Sequence, residues 1–185
     1  MICISYSFLI ILISILWILV RTICCIRKKS FCWKRELQLM LVYVCIIMTA
    51  RFTFFPFGTV DGQVQPLVFA SANAYPPRIN LVPIVYLFDY AVFQEALLNL
   101  FGNTAMFIPL GIVWPAVFPQ LDTHKKVIAA GACFSLCIEI LQLPFYDRVT
   151  DIDDLILNTL GFGMGYGLYL LGKRVSNYLR SALTG

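Results

Sequence analysis

Charge is what this sequence has least of. Only 13% of its residues are Asp, Glu, Lys or Arg, against about 25% in an ordinary soluble domain. Hydrophobic residues make up 60% and the mean hydropathy is +0.83. This excludes a water-soluble fold and makes the chain an integral membrane protein. No basic stripe with interleaved aromatics occurs, so nucleic acid is not a partner. The seven cysteines (Cys3, Cys24, Cys25, Cys32, Cys45, Cys133 and Cys137) are odd in number and scattered over apolar runs and basic loops, which rules out a disulfide framework. Cys24, Cys25 and Cys32 read as reduced thiols, with acylation of Cys24 or Cys25 the alternative. Cys133 and Cys137 lie one helical turn apart in an apolar run and are expected to be small packing residues. No basic residue precedes the first apolar run and no small-residue cleavage site follows it, so it reads as a retained helix, not a signal peptide.

What is present is a series of apolar runs long enough to cross a bilayer, which takes about 20 residues. The first is Ile2 to Val20, followed at once by Arg21, Arg27, Lys28, Lys29, Lys34 and Arg35. The second runs from Leu37 to Phe55, closed by Pro56 and Gly58. Residues 51–98 carry Gly58, Gly62, Pro66, Pro76, Pro77 and Pro83, so no long helix fits the first two-thirds of this segment. It is nevertheless apolar around Leu67 and Leu81, and is expected to lie on the membrane or dip into it under cover of protein. A third helix is expected from Phe93 to about Val113, kinked at Pro109 and ended by Pro115 and Pro119. The fourth is Val127 to Leu143, stopped by Pro144, and the fifth Leu155 to Leu171 with a basic tail.

Basic residues fix an expected orientation. Those after the first, third and fifth runs are 11 of the 14; on the other side are Arg51, Arg78 and Arg148. Eight of the ten acidic residues fall on that other side. The expectation is an all-α integral membrane protein of five transmembrane helices. Its N-terminus is outside, its C-terminus is cytoplasmic, and one long outer loop is partly membrane-embedded. Residues 1–50 form two helices with a basic cytoplasmic loop, and residues 51–185 form a core of the outer loop and three helices.

Within that topology the polar residues converge at the outer ends. Asp151, Asp153 and Asp154 sit at the start of the fifth helix, where the helix dipole favours carboxylates and where Thr150 with Asp153 resembles a capping arrangement. Capping explains one or two of them; a third adds repulsion unless a donor or cation is near. Asp154 and Asn158 share a helix face that Gly161 and Gly165 continue, and such a row admits another helix closely. Glu95, Asn99 and Asn103 form one stripe on the third helix, and Ser135, Glu139 and Gln142 another on the fourth. A carboxylate such as Glu139 inside a span is expensive unless paired or wetted. A purely structural network is the bland account. The other is one outward-facing pocket lined by Asn80, Asn99, Asn103, Glu139, Gln142, Arg148, Asp151, Asp153, Asp154 and Asn158.

Four motifs carry a resemblance to the VanZ-like family of bacterial membrane proteins. They are Arg78-Ile-Asn80-Leu-Val-Pro83-Ile, Asn99-Leu-Phe-Gly-Asn103-Thr-Ala-Met-Phe107-Ile-Pro109-Leu-Gly111, Glu139-Ile-Leu-Gln142-Leu and Arg148-Val-Thr-Asp151-Ile-Asp153-Asp154-Leu-Ile-Leu-Asn158-Thr-Leu-Gly161. They lie in order over roughly Asn80 to Leu171; the first two spans match only in character. The segment Pro144-Phe-Tyr-Asp147 is shorter than its usual counterpart. The resemblance implies a multi-pass protein of the bacterial cytoplasmic membrane, tied to the cell envelope and, for the founding member, to resistance to teicoplanin-type lipoglycopeptides. It implies no known reaction.

Three functions follow. In a binding module, Arg148 pairs a carboxylate or phosphate of a peptidoglycan precursor or lipid headgroup, and the amides of Asn99, Asn103, Gln142 and Asn158 supply neutral hydrogen bonds. In an enzyme acting on a lipid-linked substrate, Asp151, Asp153 and Asp154 with Glu139 hold a divalent cation or act as acid and base. Against that, the single histidine, His124, falls on the cytoplasmic side, and no Cys–His or Ser–His pair is present. A transporter ranks last, because one copy shows no internal repeat. No other cofactor is expected, and the sequence sets no oligomeric state.

Overall fold

The computed structural model describes residues 2–29, 31–55, 59–60, 62–69, 79–83, 93–145 and 148–184. Most of the expected outer loop lies outside them, as do Pro56, Gly58, Asp61, Pro76, Pro77, Arg78, Asp89 and Asp147 and the side chain of Glu95. The elements in order are β1 (Ile2–Ile4), α1 (Tyr6–Lys28), α2 (Trp33–Phe54), β2 (Leu67–Phe69), β3 (Ile79–Asn80), α3 (Phe93–Val117), α4 (His124–Gln142), β4 (Thr150–Asp151) and α5 (Ile152–Thr184). The protein is overwhelmingly helical, and α1, α2, α3 and α5 are long and apolar enough to cross a membrane. Helix α4, with Lys125, Lys126 and Glu139 among its 19 residues, is not one of these four.

Several element boundaries differ from those expected. The chain does not enter α1 at Ile2: Ile2–Ile4 is extended and pairs antiparallel with β2, Ile2 opposite Phe69 and Ile4 opposite Leu67. Ser5 separates strand from helix, its hydroxyl accepting from the Phe8 N–H at 3.2 Å as an N-cap. At the other end α1 runs past Val20 to Lys28, so Arg21, Arg27 and Lys28 are helical. Arginine and lysine are good helix formers, and cations in the last turn complement the dipole. Helix α3 continues through Pro109 and Pro115 to Val117. Prolines are tolerated inside membrane helices because neighbouring groups re-satisfy the freed carbonyls. Helix α5 passes the expected end at Leu171 and continues to Thr184.

The chain divides into two compact units, Met1–Ile79 with Ile140–Thr150, and Asn80–Glu139 with Asp151–Gly185. In the first, α1 buries no residue of its own. It meets α2 along one stripe, residues 14, 17 and 21. Ser14 Oγ lies 2.7 Å from the Tyr43 hydroxyl, Trp17 packs on the Tyr43 ring at 5.5 Å, and Arg21 holds Glu36 bidentately at 2.9 and 2.5 Å. Helix α2 turns Leu39, Val42, Cys45, Thr49, Ala50, Thr53 and Phe54 inward. Phe145 closes this core between the rings of Phe54 and Phe69. Arg51 stands over the rings of Tyr6 and Phe52 at 5.5 and 5.4 Å.

In the second unit α3 and α5 meet backbone to backbone. A Cβ on Gly111 would fall 2.0 Å from the Phe162 carbonyl oxygen, on Gly161 2.0 Å from that of Thr104, and on Gly165 2.1 Å from that of Ile108. The small-residue row is therefore a packing seam, as its spacing suggested. Beside it Phe107, Leu110, Val127 and Phe162 are fully buried, and Trp114 packs against Phe118, Phe134 and Phe162. Burying four such side chains stabilises packing by about 1.5–3 kcal/mol each relative to water; where lipid replaces water, close packing does this work instead. Cys133 and Cys137 point outward from this core and are exposed, which corrects their reading as packing residues. Alternate turns of α4 serve the core through Val127, Ser135 and Ile138.

Candidate functional site

The start of α5 organises a polar cluster within the second unit. Asp151 is its N-cap: Oδ1 accepts from the Asp153 N–H at 2.9 Å. Thr150, expected to cap, is instead one residue too early, because the helix begins at Ile152. The same Asp151 is held twice more. Its Oδ2 accepts from Asn80 Nδ2 at 3.1 Å, and its N–H donates to Glu139 Oε2 at 3.1 Å. Asn80 is fixed in turn, its Oδ1 accepting from the Val82 N–H at 3.1 Å. Glu139 is 2% exposed, and its carboxylate thus satisfies a backbone donor at the mouth of α5. A buried carboxylate bonded to backbone N–H is one of the arrangements that makes such burial tolerable.

One turn along α5, Asp154 faces α3 and accepts from Asn103 Nδ2. Both residues are half-buried. One turn further, Asn158 faces α4, and its Nδ2 donates to Ser135 Oγ at 2.9 Å. Asn158 is 1% exposed and Ser135 0%. The Asn158 Oδ1 is buried and finds no hydrogen-bond partner among the described residues. Turning the amide over exchanges the two atoms and leaves the other unpaired against a single hydroxyl. Gln142 Oε1 and Trp114 Nε1 are likewise buried without a partner among the described residues, a state that is uncommon for polar atoms in native proteins.

The sequence-predicted residues are divided between the two units. Within one unit Asn80, Glu139, Asp151 and Asp153 share one set of hydrogen bonds, Asn103 and Asp154 form a second pair, and Asn158 with Ser135 a third. Asn99, a turn before Asn103, belongs to the same unit and is exposed. Gln142 and Arg148 belong to the first unit and have a different occupation there. Gln142 Nε2 donates to the Thr53 carbonyl at 2.6 Å, and Arg148 Nε donates to the Phe54 carbonyl at 3.2 Å. Those carbonyls end α2, where four carbonyls lack helical partners. Thr53 and Phe54 were not singled out in the sequence. The signal that would have found them is the α2 terminus itself, closed by neither glycine nor asparagine. Ser135, read only as part of a stripe, is the direct partner of Asn158.

Among the described residues no group of three or more histidines, cysteines, aspartates or glutamates is arranged to hold a metal ion. The oxygens of Asp151 and Glu139 that are placed here face N–H donors. The cluster is thus an arrangement of carboxylates and amides at a helix N-terminus, with one buried amide atom still to be satisfied.

Known proteins place the chain in context. It is 28% identical over 115 residues to Protein VanZ of Enterococcus faecium, covering 62% of this chain and 66% of that one. It is 31% identical over 80 residues to the uncharacterized membrane protein YwnJ of Bacillus subtilis (strain 168), covering 43% of this chain and 54% of that one. The chain therefore spans somewhat less than two-thirds and about half of the lengths of these relatives. No solved structure matches it. The VanZ/LLP1 family model matches residues 40–173, taking in most of α2, all four motifs and α5 as far as Lys173, and the chain belongs to that family.

Proposed function

We propose that this chain is a multi-pass protein of the bacterial cytoplasmic membrane whose polar cluster at the start of α5 binds a polar cell-envelope group. A peptidoglycan-precursor stem and a lipid headgroup are the occupants the chemistry fits. Occupancy lowers susceptibility to teicoplanin-type lipoglycopeptides by hindering antibiotic access to that group. The orientation this requires has α4 crossing the membrane along with α1, α2, α3 and α5, the N-terminus outside, the C-terminus cytoplasmic and the cluster on the outer face. The distribution of basic residues supports that orientation.

The observation that carries the reading is the buried Asn158 amide, bonded on one side to Ser135 and with Oδ1 unpaired. It lies one helical turn from the Asn103–Asp154 pair. That oxygen is a buried acceptor which no described residue fills, and a polar envelope group carrying an N–H or O–H would complete it. Membership of the VanZ/LLP1 family supports an envelope setting.

The test is expression in a teicoplanin-susceptible bacterium. Wild type is compared with Asn99→Ala, Asn158→Ala and, as a control away from the cluster, Gly167→Ala, with membrane levels matched. Wild type and Gly167→Ala are expected to raise the inhibitory concentration of teicoplanin, and Asn99→Ala and Asn158→Ala to lower it toward the empty vector. Full tolerance in both cluster variants at normal membrane levels sinks the proposal.

A further inference from the structure

Helix α5 is longer than a bilayer requires. Its 33 residues rise about 50 Å at 1.5 Å each, against roughly 30 Å of hydrocarbon. The stretch free of Asp, Glu, Lys and Arg runs from Leu155 to Gly172, and the helix then continues unbroken from Lys173 to Thr184. The family match ends at residue 173, so nearly all of this extension lies beyond it.

The extension divides into two faces at the helical period. Val175, Tyr178, Leu179, Ala182 and Leu183 fall within one arc. The opposite arc carries Lys173, Arg174, Asn177, Arg180 and Ser181. The apolar side chains are uncovered: Val175 is 57% exposed, Tyr178 74%, Leu179 55% and Leu183 86%. An upright helix in water has no use for such a stripe. Its charge selects what covers it. Residues 172–184 hold three basic residues and no acidic one, so a second copy of the helix alongside would set like charges together, whereas an anionic surface complements them.

We propose that residues 173–184 are an amphipathic segment that docks on the anionic headgroup surface of the leaflet where α5 emerges. The apolar stripe enters the boundary between headgroups and acyl chains, and Lys173, Arg174 and Arg180 face lipid phosphates. Gly172 stands at the junction, where an added Cβ would meet nothing within 4 Å. Glycine is the weakest helix former after proline, so a bend that lays the extension on the surface costs least there.

A photoreactive benzoylphenylalanine at Leu179 of the full chain, in phosphatidylcholine vesicles with or without phosphatidylglycerol, reports what lies on the stripe. Lipid adducts are expected in both, with a yield at least about fivefold higher when phosphatidylglycerol is present, the gain that even one of the three basic residues contributes at an anionic surface. The K173Q/R174Q/R180Q variant is expected to insert normally and to lose that dependence. A cross-linked dimer in place of lipid adducts, adducts indifferent to phosphatidylglycerol, or no adduct at all would each overturn the proposal.

Discussion

The amide of Asn158 on α5 donates to the hydroxyl of Ser135 on α4 across 2.9 Å, and neither residue reaches solvent. The pair joins the two helices at a depth where no water competes. Such bonds in membrane helices contribute only about 0.6 kcal/mol on average and about 1.7 at most. Their importance lies in what a half-removed pair leaves behind.

Removing one partner is therefore expected to do more harm than removing both. Ser135→Ala strips the Asn158 amide of its acceptor and leaves it buried, at a cost of about 1–3 kcal/mol. Adding Asn158→Leu to that variant is expected to recover part of the loss, since an apolar pair leaves no group unsatisfied. Unfolding of Ser135→Ala, Asn158→Leu and the double variant in detergent gives the coupling directly. Simple additivity would contradict the geometry.

The glycine seam makes a sharper prediction, because the contacts are with backbone and cannot swing aside. Gly161→Ala would set its methyl 2.0 Å from the Thr104 carbonyl oxygen, and Gly165→Ala 2.1 Å from that of Ile108. Overpacking of this kind costs about 1–3 kcal/mol or more. Gly167→Ala meets nothing within 4 Å and is expected to be neutral or to stabilise α5 by up to about 1 kcal/mol. Thermal unfolding of the purified variants should separate Gly161 and Gly165 from Gly167.

Much of this was legible in the sequence for one reason: in hydrocarbon, composition itself is the signal. Runs of apolar residues located the helices, and the Gly161–Gly165 spacing announced a close approach, because only small residues permit one. Helix ends were less legible. Val20 and Leu171 marked where apolar character stopped, but backbone hydrogen bonding continues through Arg21 and Lys173, which are good helix formers. Pro115 was expected to end α3, a rule that holds where water takes up the freed carbonyl. For Arg148 and Gln142 the residue types indicated donors; only the fold reveals that Phe54 and Thr53 are among what they donate to.

The capping of α5 by Asp151 can be tested with two substitutions. Asp151→Ala removes the acceptor for the Asp153 N–H and the partner of Asn80, and is expected to destabilise by about 1–2 kcal/mol. Asp151→Asn keeps one oxygen for the cap but turns an NH2 toward the Asn80 donor. It should fall between wild type and alanine, and Asn80→Asp in the same chain should restore the lost contact. If Thr150→Ala proves more damaging than Asp151→Ala, the cap has been misassigned.

Gln142 and Arg148 bear on whether the family's polar motifs are sites or supports. Both donate to carbonyls that close α2, Gln142 Nε2 to Thr53 at 2.6 Å and Arg148 Nε to Phe54 at 3.2 Å. Gln142→Ala leaves the Thr53 carbonyl with one donor fewer in a buried setting, a loss of about 1–3 kcal/mol. The effect should be local: amides in the last turns of α2, from Thr49 to Phe54, should exchange faster with deuterium while those of α3 and α5 do not. Arg148→Gln retains a side-chain N–H but not the charge. If closing α2 is the larger part of what Arg148 does, this variant should keep the exchange pattern of wild type, and Arg148→Ala should lose it. If charge is the larger part, glutamine and alanine should behave alike, and both should lower teicoplanin tolerance without altering exchange in α2.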